Sequence, residues 1–200
     1  MMEYKIFDKY ESKAEITDPG IKNYINLEPK YSFYSQGKQA KKIFGKQKVH
    51  IVERLINNLM RSGTGGKLAG KLIRGRNGTG KKQKMAKVTE KAFETIERRT
   101  KKNPLQILIK AIENAAPREE TTRVKYGGVV NLIAVDISPQ RRVDFALRNI
   151  GKAVVMRSFD TKKSADQALV EELILASNND TGSHAITKKI EIERIAASSR

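Results

Sequence analysis

A glycine-rich run over residues 75–82 is the first place where residue types and spacing could support chemistry. The spacing from Gly75 to Gly80 and Lys81 matches a phosphate-binding P-loop, whose backbone amides and lysine hold nucleotide phosphates. Lys82, however, stands where the motif needs a Ser or Thr to ligate magnesium, and the apolar pair at residues 72–73 is too short for the buried strand that precedes such a loop. A flexible loop whose lysines contact phosphates explains the run better, and an NTPase is kept as an alternative.

Residues that could form a metal site or a catalytic triad are too few or wrongly spaced. The two histidines, His50 and His184, fall on separate predicted helices, and the chain has no Cys to complete a zinc site with them. No Gly-x-Ser-x-Gly motif accompanies either histidine. The acidic pairs at residues 119–120 and 171–172 are adjacent in sequence, so their side chains diverge rather than share a proton. The sequence thus predicts no catalytic residue, no metal site and no cofactor.

The excess of basic residues is concentrated in one third of the chain. Lys and Arg number 40 against 22 Asp and Glu, a net charge of +18, and residues 36–102 alone carry 20 basic and 4 acidic side chains. Residues 67–87 hold eight basic side chains and no acidic one. Such a density repels itself until a polyanion neutralises it, and the release of counterions drives binding to nucleic acids. The pattern predicts a nucleic-acid-binding surface; the alternative is a lysine-coated surface that serves solubility alone.

The size and composition indicate a single soluble domain. The chain has 200 residues, 38% of them hydrophobic, which is enough for one core. The absence of Cys excludes disulfides, and no apolar run approaches the ~18 residues of a membrane span. Because the first nine residues are too charged for a secretory leader, we expect an intracellular protein without membrane association.

Hydrophobic spacing predicts the elements that must position the basic residues. Apolar residues recur at helical intervals over residues 48–61, 82–99 and 162–177, and a last helix over about 183–197 follows a break at residues 178–182. Two further helices begin at Asn103-Pro104 and Ser138-Pro139, where a capping residue precedes a proline suited to the first turn. We therefore predict a mainly α fold, in which residues 1–47 form an extended arm and residues 48–200 a six-helix, bundle-like RNA-binding domain with a basic glycine-rich loop at residues 61–81.

A β-hairpin over about residues 119–137 interrupts the helical pattern. Two short stretches of strand-forming residues flank Gly127-Gly128, and glycines supply the positive φ that a two-residue hairpin turn needs. Pairing about this turn puts Arg123 and Lys125 on one face and Tyr126 on the other. Because a lone two-stranded ribbon is marginal in water, we expect its cationic face to lean on RNA, with packing of its base on the helices as the alternative.

Several stretches, taken together in their order and spacing, resemble one known family. They are residues 18–27 (DPGIKNYINL), 51–61 (IVERLINNLMR), 103–104 (NP), 111–118 (AIENAAPR), 126–129 (YGGV), 138–142 (SPQRR), 182–191 (GSHAITKKIE) and 198–200 (SSR). The chain resembles the small-subunit ribosomal protein seven family in its archaeal and eukaryotic form, and the resemblance covers most of its length.

The resemblance implies a six-helix domain with a protruding hairpin that binds the 3′ major domain of small-subunit rRNA and nucleates assembly of the subunit head. It further implies that the hairpin lies near the exit-site tRNA and the mRNA path, and that the eleventh and ninth small-subunit proteins are neighbours. The protein would then be a structural constituent of the cytoplasmic small ribosomal subunit and not an enzyme. An architectural DNA-binding protein is the leading alternative.

The predicted RNA contacts are basic residues of the arm, the loop, the helix ends and the hairpin, together with one tyrosine at the hairpin tip. They are Lys38, Lys41, Lys42, Lys46, Lys67, Lys71, Arg74, Arg76, Lys81, Lys82, Lys84, Arg98, Arg99, Lys101, Lys102, Arg118, Arg123, Lys125, Tyr126, Arg141, Arg142, Arg148, Lys188, Lys189 and Arg200.

Some of these residues have a plausible alternative role within the protein. Arg141 and Arg142, at a helix start, could clamp phosphate or pair with an acidic side chain. Lys188 and Lys189 could contact RNA or pair with glutamates on their own helix. Tyr126 could stack on a base or support a cross-strand neighbour.

Overall fold

The fold is mainly helical in the computed structural model of the chain. The structure describes residues 5–30, 32–62, 78 and 80–200, and the backbone alone of residues 67–68, 71–72 and Tyr126. The helices are α1 (Pro19–Lys22), α2 (Ile51–Arg61), α3 (Lys82–Thr100), α4 (Pro104–Ala115), α5 (Pro139–Ser158), α6 (Ala165–Ser177) and α7 (His184–Ser198). The strands are β1 (Lys67–Leu68), β2 (Lys71–Leu72), β3 (Glu119–Tyr126) and β4 (Val129–Asp136), and two 3-10 turns span Lys38–Lys41 and Gly45–Lys48.

The six predicted helices are present as α2 to α7, so the predicted fold class is confirmed. The start of α4 shows why local sequence was sufficient: Asn103 Oδ1 accepts a hydrogen bond from the Leu105 amide at 3.0 Å, and Pro104 occupies the first turn. Ser183 Oγ likewise accepts from the Ile186 amide at 3.3 Å and caps α7. None of the helices in the described ranges is long and apolar enough to cross a bilayer.

Helix α6 lies at the centre of the core and packs against α3, α4, α5 and α7. Leu169 and Leu173 of α6 and Leu105 and Leu108 of α4 are fully buried. Burying one such side chain contributes about 1.5–3 kcal/mol. The packing of these apolar stripes fixes the directions of the helices, and hence where their exposed basic faces point.

The N-terminal segment packs against this core. Ile6, Tyr10, Ile21 and Ile25 are buried in the same hydrophobic cluster as the helices. The ring of Phe93 on α3 lies edge-on to the ring of Tyr10, with 6.1 Å between centroids. Apart from the single turn of α1, residues 5–30 contain no helix and no strand. The division of the chain at residue 47 stays a prediction.

The hairpin has the predicted register. Tyr126 pairs with Val129 across Gly127 and Gly128, which adopt φ values of +55° and +88°. The pairing of Arg123 with Leu132 places the basic residues of β3 on one face, as predicted from the turn. The base of the ribbon contacts α7, whereas the apolar residues of β4 near the turn are exposed, including Val129 with 62% of its surface accessible.

Much of the predicted basic loop lies outside the described residues. This includes Arg74, Arg76 and half of the P-loop-like run at residues 75–82. For Lys67 and Lys71 the backbone is described, and β1 pairs with β2 in antiparallel register, Lys67 opposite Leu72.

Candidate nucleic-acid interface

An open cavity of about 800 Å³ lies between residues 34–49, α2 and α5. Basic side chains line it from three elements, including Lys46 of the arm, Arg148 and Lys152 of α5, and Arg61 at the end of α2. Arg141, Arg148 and Lys152 follow each other at intervals of seven and four residues and therefore share one face of α5. All three are exposed. This face can follow a phosphate backbone along the helix.

The two 3-10 turns of the arm form a compact double turn over residues 37–48. A Cβ at Gly45 would lie 2.2 Å from the carbonyl oxygen of Gln39, so only glycine allows the turns to pack this closely. The double turn presents Lys38, Lys41 and Lys42 to solvent. It thereby converts a lysine-rich stretch without helical or strand periodicity into a defined cationic surface.

A buried arginine holds the arm and α5 together beneath this surface. Arg54 is 5% exposed; its Nη1 donates to the carbonyl of Tyr24 at 2.7 Å and its Nη2 to Asp144 at 3.0 Å. Lys46 approaches the other carboxylate oxygen of Asp144 at 3.3 Å. Because two cations compensate the charge of Asp144, the cavity stays attractive to anions.

Glu53 ties the arm to the starts of α2 and α3. It is 2% exposed and accepts hydrogen bonds from the Ser35 amide and hydroxyl, each at 2.8 Å, and from Lys82 Nζ at 2.6 Å. Burial alone would raise the pKa of this carboxyl, but the hydrogen bonds from Lys82 and Ser35 outweigh burial and hold the pKa below its usual value. Lys82, a predicted RNA contact, is therefore held within the protein, where its ammonium group also lies 4.9 Å from the centroid of the Tyr34 ring.

His50 caps the helix that carries Arg54 and Glu53. Its Nδ1 accepts a hydrogen bond from the Val52 amide at 3.2 Å, and its ring is fully buried. Burial lowers the pKa of His50 from 6.5 to about 4 because the charged imidazolium would lose its hydration, and the nearby Lys30 adds to the effect. A protonated ring would also lose the lone pair that accepts from Val52.

The stability of the free protein is expected to fall as the pH drops from 6.5 towards 4, because the pKa of His50 is 6.5 in the unfolded chain and about 4 in the folded one. Between these values the unfolded chain binds more protons, so stability rises with pH, and the contribution of His50, about 3 kcal/mol, is complete above the unfolded pKa. Urea unfolding across this range measures the loss. The His50→Asn variant keeps a capping oxygen without titrating there; an equally steep pH dependence in that variant would refute the assignment.

Arg142 forms a link between α5 and the N-terminal segment. Its side chain is 11% exposed; Nη2 donates to Asp18 Oδ2 at 2.8 Å, and Nε donates to the carbonyl of Pro117 at 3.1 Å. Burial would raise the pKa of Asp18, but the Gly20 amide and Arg142 outweigh it and the pKa lies below its usual value. A further contact of Arg142 with phosphate stays a prediction.

Several other predicted contacts make ion pairs or hydrogen bonds within the protein. Arg141 pairs with Glu120 at 2.8 Å, Lys188 with Glu191 at 2.5 Å, and Arg200 with Glu119. Lys189 Nζ donates to the carbonyl of Asn114 at 2.9 Å. Exposed pairs of this kind stabilise a protein by only about 0–1 kcal/mol, so RNA can exchange for the acidic partner at little cost.

A larger group of predicted contacts is exposed and has no ion-pair partner in the described part of the chain. It comprises Lys38, Lys41, Lys42, Lys81, Lys84, Arg98, Arg99, Lys101, Lys102, Arg118, Arg123, Lys125 and Arg148. These residues lie on the arm, at both ends of α3, along the hairpin and on α5. The side chain of Tyr126 lies outside the described part of the structure. The fold thus presents cations on several surfaces.

Sequence reasoning missed three basic residues of this region. Arg61 and Lys152 line the main cavity, and Lys48 is exposed at the end of the double turn. The four-residue interval between Arg148 and Lys152 was a usable signal, since it places both on one helix face. The position of Lys48 depends on the close packing of the two turns, which no periodicity in the sequence indicates.

These features define a class of protein: a basic helical scaffold with a projecting hairpin, whose exposed cations suit a polyanionic partner. Among the residues that the structure describes, no group of three or more His, Cys, Asp or Glu could hold a metal ion.

Comparison with known proteins identifies the family within this class. The model of the family described as Ribosomal protein S7p/S5e matches residues 22–200. Small ribosomal subunit protein uS7 of Archaeoglobus fulgidus is 47% identical over 199 residues, which are 99% of this chain and 96% of that protein. The chain belongs to the ribosomal protein S7p/S5e family, a family of structural proteins of the small ribosomal subunit and not of enzymes. The resemblance found in the sequence is confirmed.

Proposed function

We propose that this protein binds the 3′ major domain of small-subunit rRNA in the cytoplasm and nucleates assembly of the subunit head. Family membership supports a place in the small ribosomal subunit. The RNA contact is supported by the set of exposed cations that have no ion-pair partner among the described residues. Its hairpin lies near the exit-site tRNA and the mRNA path in this proposal, and the eleventh and ninth small-subunit proteins are its neighbours.

The bundle contributes geometry and the basic residues contribute charge. The apolar cores of α4 and α6 fix the direction of α5, so Arg141, Arg148 and Lys152 form one line of cations. Arg54 and Glu53 hold the arm against α5 and α3, and the arm exposes Lys38, Lys41 and Lys42 on the double turn. Preorganised charges of this kind bind folded RNA without the entropy cost of ordering a flexible tail.

The proposal is tested by hydroxyl-radical footprinting of a 3′ major-domain fragment, with the protein titrated against it. Specific protection of backbone positions in this fragment is expected, and protection confined to other domains would contradict the proposal. Competition with duplex DNA at equal salt distinguishes the proposal from an architectural DNA-binding protein. A DNA-binding protein would release the rRNA fragment when duplex DNA of similar length is added at comparable concentration, whereas the proposed protein should retain it.

Lys81 and Lys84 are expected to strengthen RNA binding without supporting the fold. Both are exposed at the start of α3 and have no ion-pair partner in the described residues, in contrast to Lys82 between them. The double variant Lys81→Gln with Lys84→Gln should weaken binding to the rRNA fragment by about tenfold, since each phosphate contact contributes through counterion release. Its helicity, measured by circular dichroism, should equal that of the unchanged protein. A loss of helicity would assign these lysines a structural role instead.

A further inference from the structure

Two aromatic rings and two arginines meet in a second cleft, between the double turn and the start of α5. Phe44, Phe145, Arg141 and Arg148 line this cleft, whose volume is about 430 Å³. Aromatic rings and guanidinium planes are the surfaces on which proteins stack unpaired bases of RNA. The volume lies within the range of pockets that hold a small ligand, and one nucleotide is of that size.

Phe44 is held out of the core in an unfavourable backbone conformation. Its side chain is 62% exposed, and its φ is +56°, a region that bulky residues rarely adopt. Phe44 directly precedes Gly45, where the two turns pack too closely for a side chain. Such strain persists where the surrounding structure enforces it, and it is concentrated at binding sites. The double turn therefore presents an aromatic ring that hydrophobicity alone would bury.

The surroundings of the cleft favour an anionic occupant. Residues 37–48 contain five lysines and no acidic residue. Arg148 has no ion-pair partner in the described structure, and the one carboxylate in the cleft, that of Asp144, is compensated by Arg54 and Lys46. In the described part of the chain Arg141 pairs with Glu120 alone, at 2.8 Å on the surface, and it can exchange that partner. Charge thus favours RNA over an apolar peptide.

We propose that this cleft binds a single unpaired nucleotide of the RNA, with its base stacked on the ring of Phe44 and its flanking phosphates held by Arg148 and Arg141. The site rests on the proposed rRNA-binding function and adds to it a position that selects an unstacked base over regular duplex.

Phe44 variants test the stacking contact on the full protein. Binding to the 3′ major-domain fragment should weaken by about tenfold for Phe44→Leu, because stacking of one base on an aromatic ring is worth that order of affinity. Phe44→Trp, which keeps an aromatic face, should restore it. A regular RNA duplex without unpaired nucleotides should bind all three proteins equally. Thermal unfolding of each variant verifies that the exposed position leaves the fold intact.

The same tryptophan variant gives a direct signal. The chain has no Trp, so the indole of the Phe44→Trp variant is the sole fluorophore of its kind. Stacking on a base should quench its emission when the rRNA fragment is added, whereas duplex RNA should leave the emission unchanged. Quenching of equal size by both RNAs would show that the ring does not distinguish an unpaired base and would overturn the proposal.

The neighbouring Ile43 provides the matched control. It is 89% exposed and does not line the cleft, so Ile43→Ala should keep the affinity within about twofold. If Phe44→Leu also binds within twofold while the unchanged protein binds the fragment tightly, the nucleotide site is refuted and the rRNA-binding function stands. If the unchanged protein does not bind the fragment, the proposed function itself fails.

Discussion

The affinity of this protein for a 3′ major-domain rRNA fragment is expected to fall by about 10³- to 10⁵-fold between ~50 and ~200 mM salt. The reason is the excess of exposed cations, most of them concentrated in residues 36–102, where the net charge is +16. Each phosphate that a lysine or arginine neutralises releases condensed counterions, and this release weakens as bulk salt rises. Filter binding or fluorescence anisotropy over a salt series measures the slope directly.

Two triple variants that each remove three lysines distinguish direct RNA contact from the effect of net charge on the salt dependence of binding. Lys38, Lys41 and Lys42 are exposed on the double turn and have no ion-pair partner in the described residues. Their triple change to Gln should flatten the slope of log affinity against log salt by about two to three, since each contact contributes about 0.7–0.9. The control removes three exposed lysines outside the predicted contacts: Lys13, Lys110 and Lys162.

Both triple variants lose the same net charge, so a long-range effect of charge would change their slopes equally. Equal slopes for the two would therefore show that the double turn does not contact RNA. A slope near zero for the unchanged protein would contradict the phosphate-binding function altogether, because no polyanion complex of this charge forms without counterion release.

Local signals made much of the fold predictable. The Asn103-Pro104 pair fixes the start of α4 through one capping bond and one preset φ, both of which involve residues adjacent in sequence. Gly127-Gly128 fixes the hairpin turn and with it the register of every pair up the ribbon. The helix start and the hairpin turn each depend on a few residues that are adjacent in sequence, so both can be predicted from the sequence alone.

The organisation of the candidate interface was less predictable because it depends on contacts between distant residues. Lys82 and Glu53 are 29 residues apart, and Arg142 and Asp18 are 124 apart. Lysines and arginines look alike in a sequence whether they face solvent or an internal carboxylate. The exposure of the Phe44 ring was not predictable for a similar reason, since an aromatic residue in a sequence does not show whether the fold buries it.

The pair formed by Lys82 and Glu53 has a consequence that distinguishes Lys82 from the other lysines of its region. The carboxylate of Glu53 is 2% exposed, whereas the side chain of Lys82 is 19% exposed and can reach water when its partner is lost. Removing the lysine therefore leaves a buried charge whose remaining hydrogen bonds, among the described residues, are the two from Ser35. Removing the glutamate leaves a cation that can rehydrate. The two single changes should therefore lower the free energy of unfolding by different amounts.

Lys82→Met is expected to lower the free energy of unfolding by about 3–5 kcal/mol near neutral pH, the cost of leaving one buried charge unpaired. Glu53→Gln should lower the free energy of unfolding by less than Lys82→Met does. The double variant Lys82→Met with Glu53→Leu should recover most of the loss, since it removes the buried charge as well as its partner. Urea unfolding of the four proteins completes the cycle, and Lys81→Met, at the exposed neighbouring position, should change stability by no more than about 0.5 kcal/mol.

The pH dependence of the same variant shows whether the unpaired carboxylate causes the loss. With Lys82 present, the pKa of Glu53 lies below its usual value of 4.5, so the pair stabilises the fold above that pH and its contribution is lost as the pH falls through the folded pKa. Removing Lys82 takes away a hydrogen bond and a charge that lower this pKa, so the pKa of Glu53 rises in the variant. Protonation then relieves the buried charge, so the stability difference between Lys82→Met and the unchanged protein should shrink as the pH approaches 4.5 from neutrality. A difference that stays constant over this range would mean that Lys82 acts through packing rather than through the charge of Glu53.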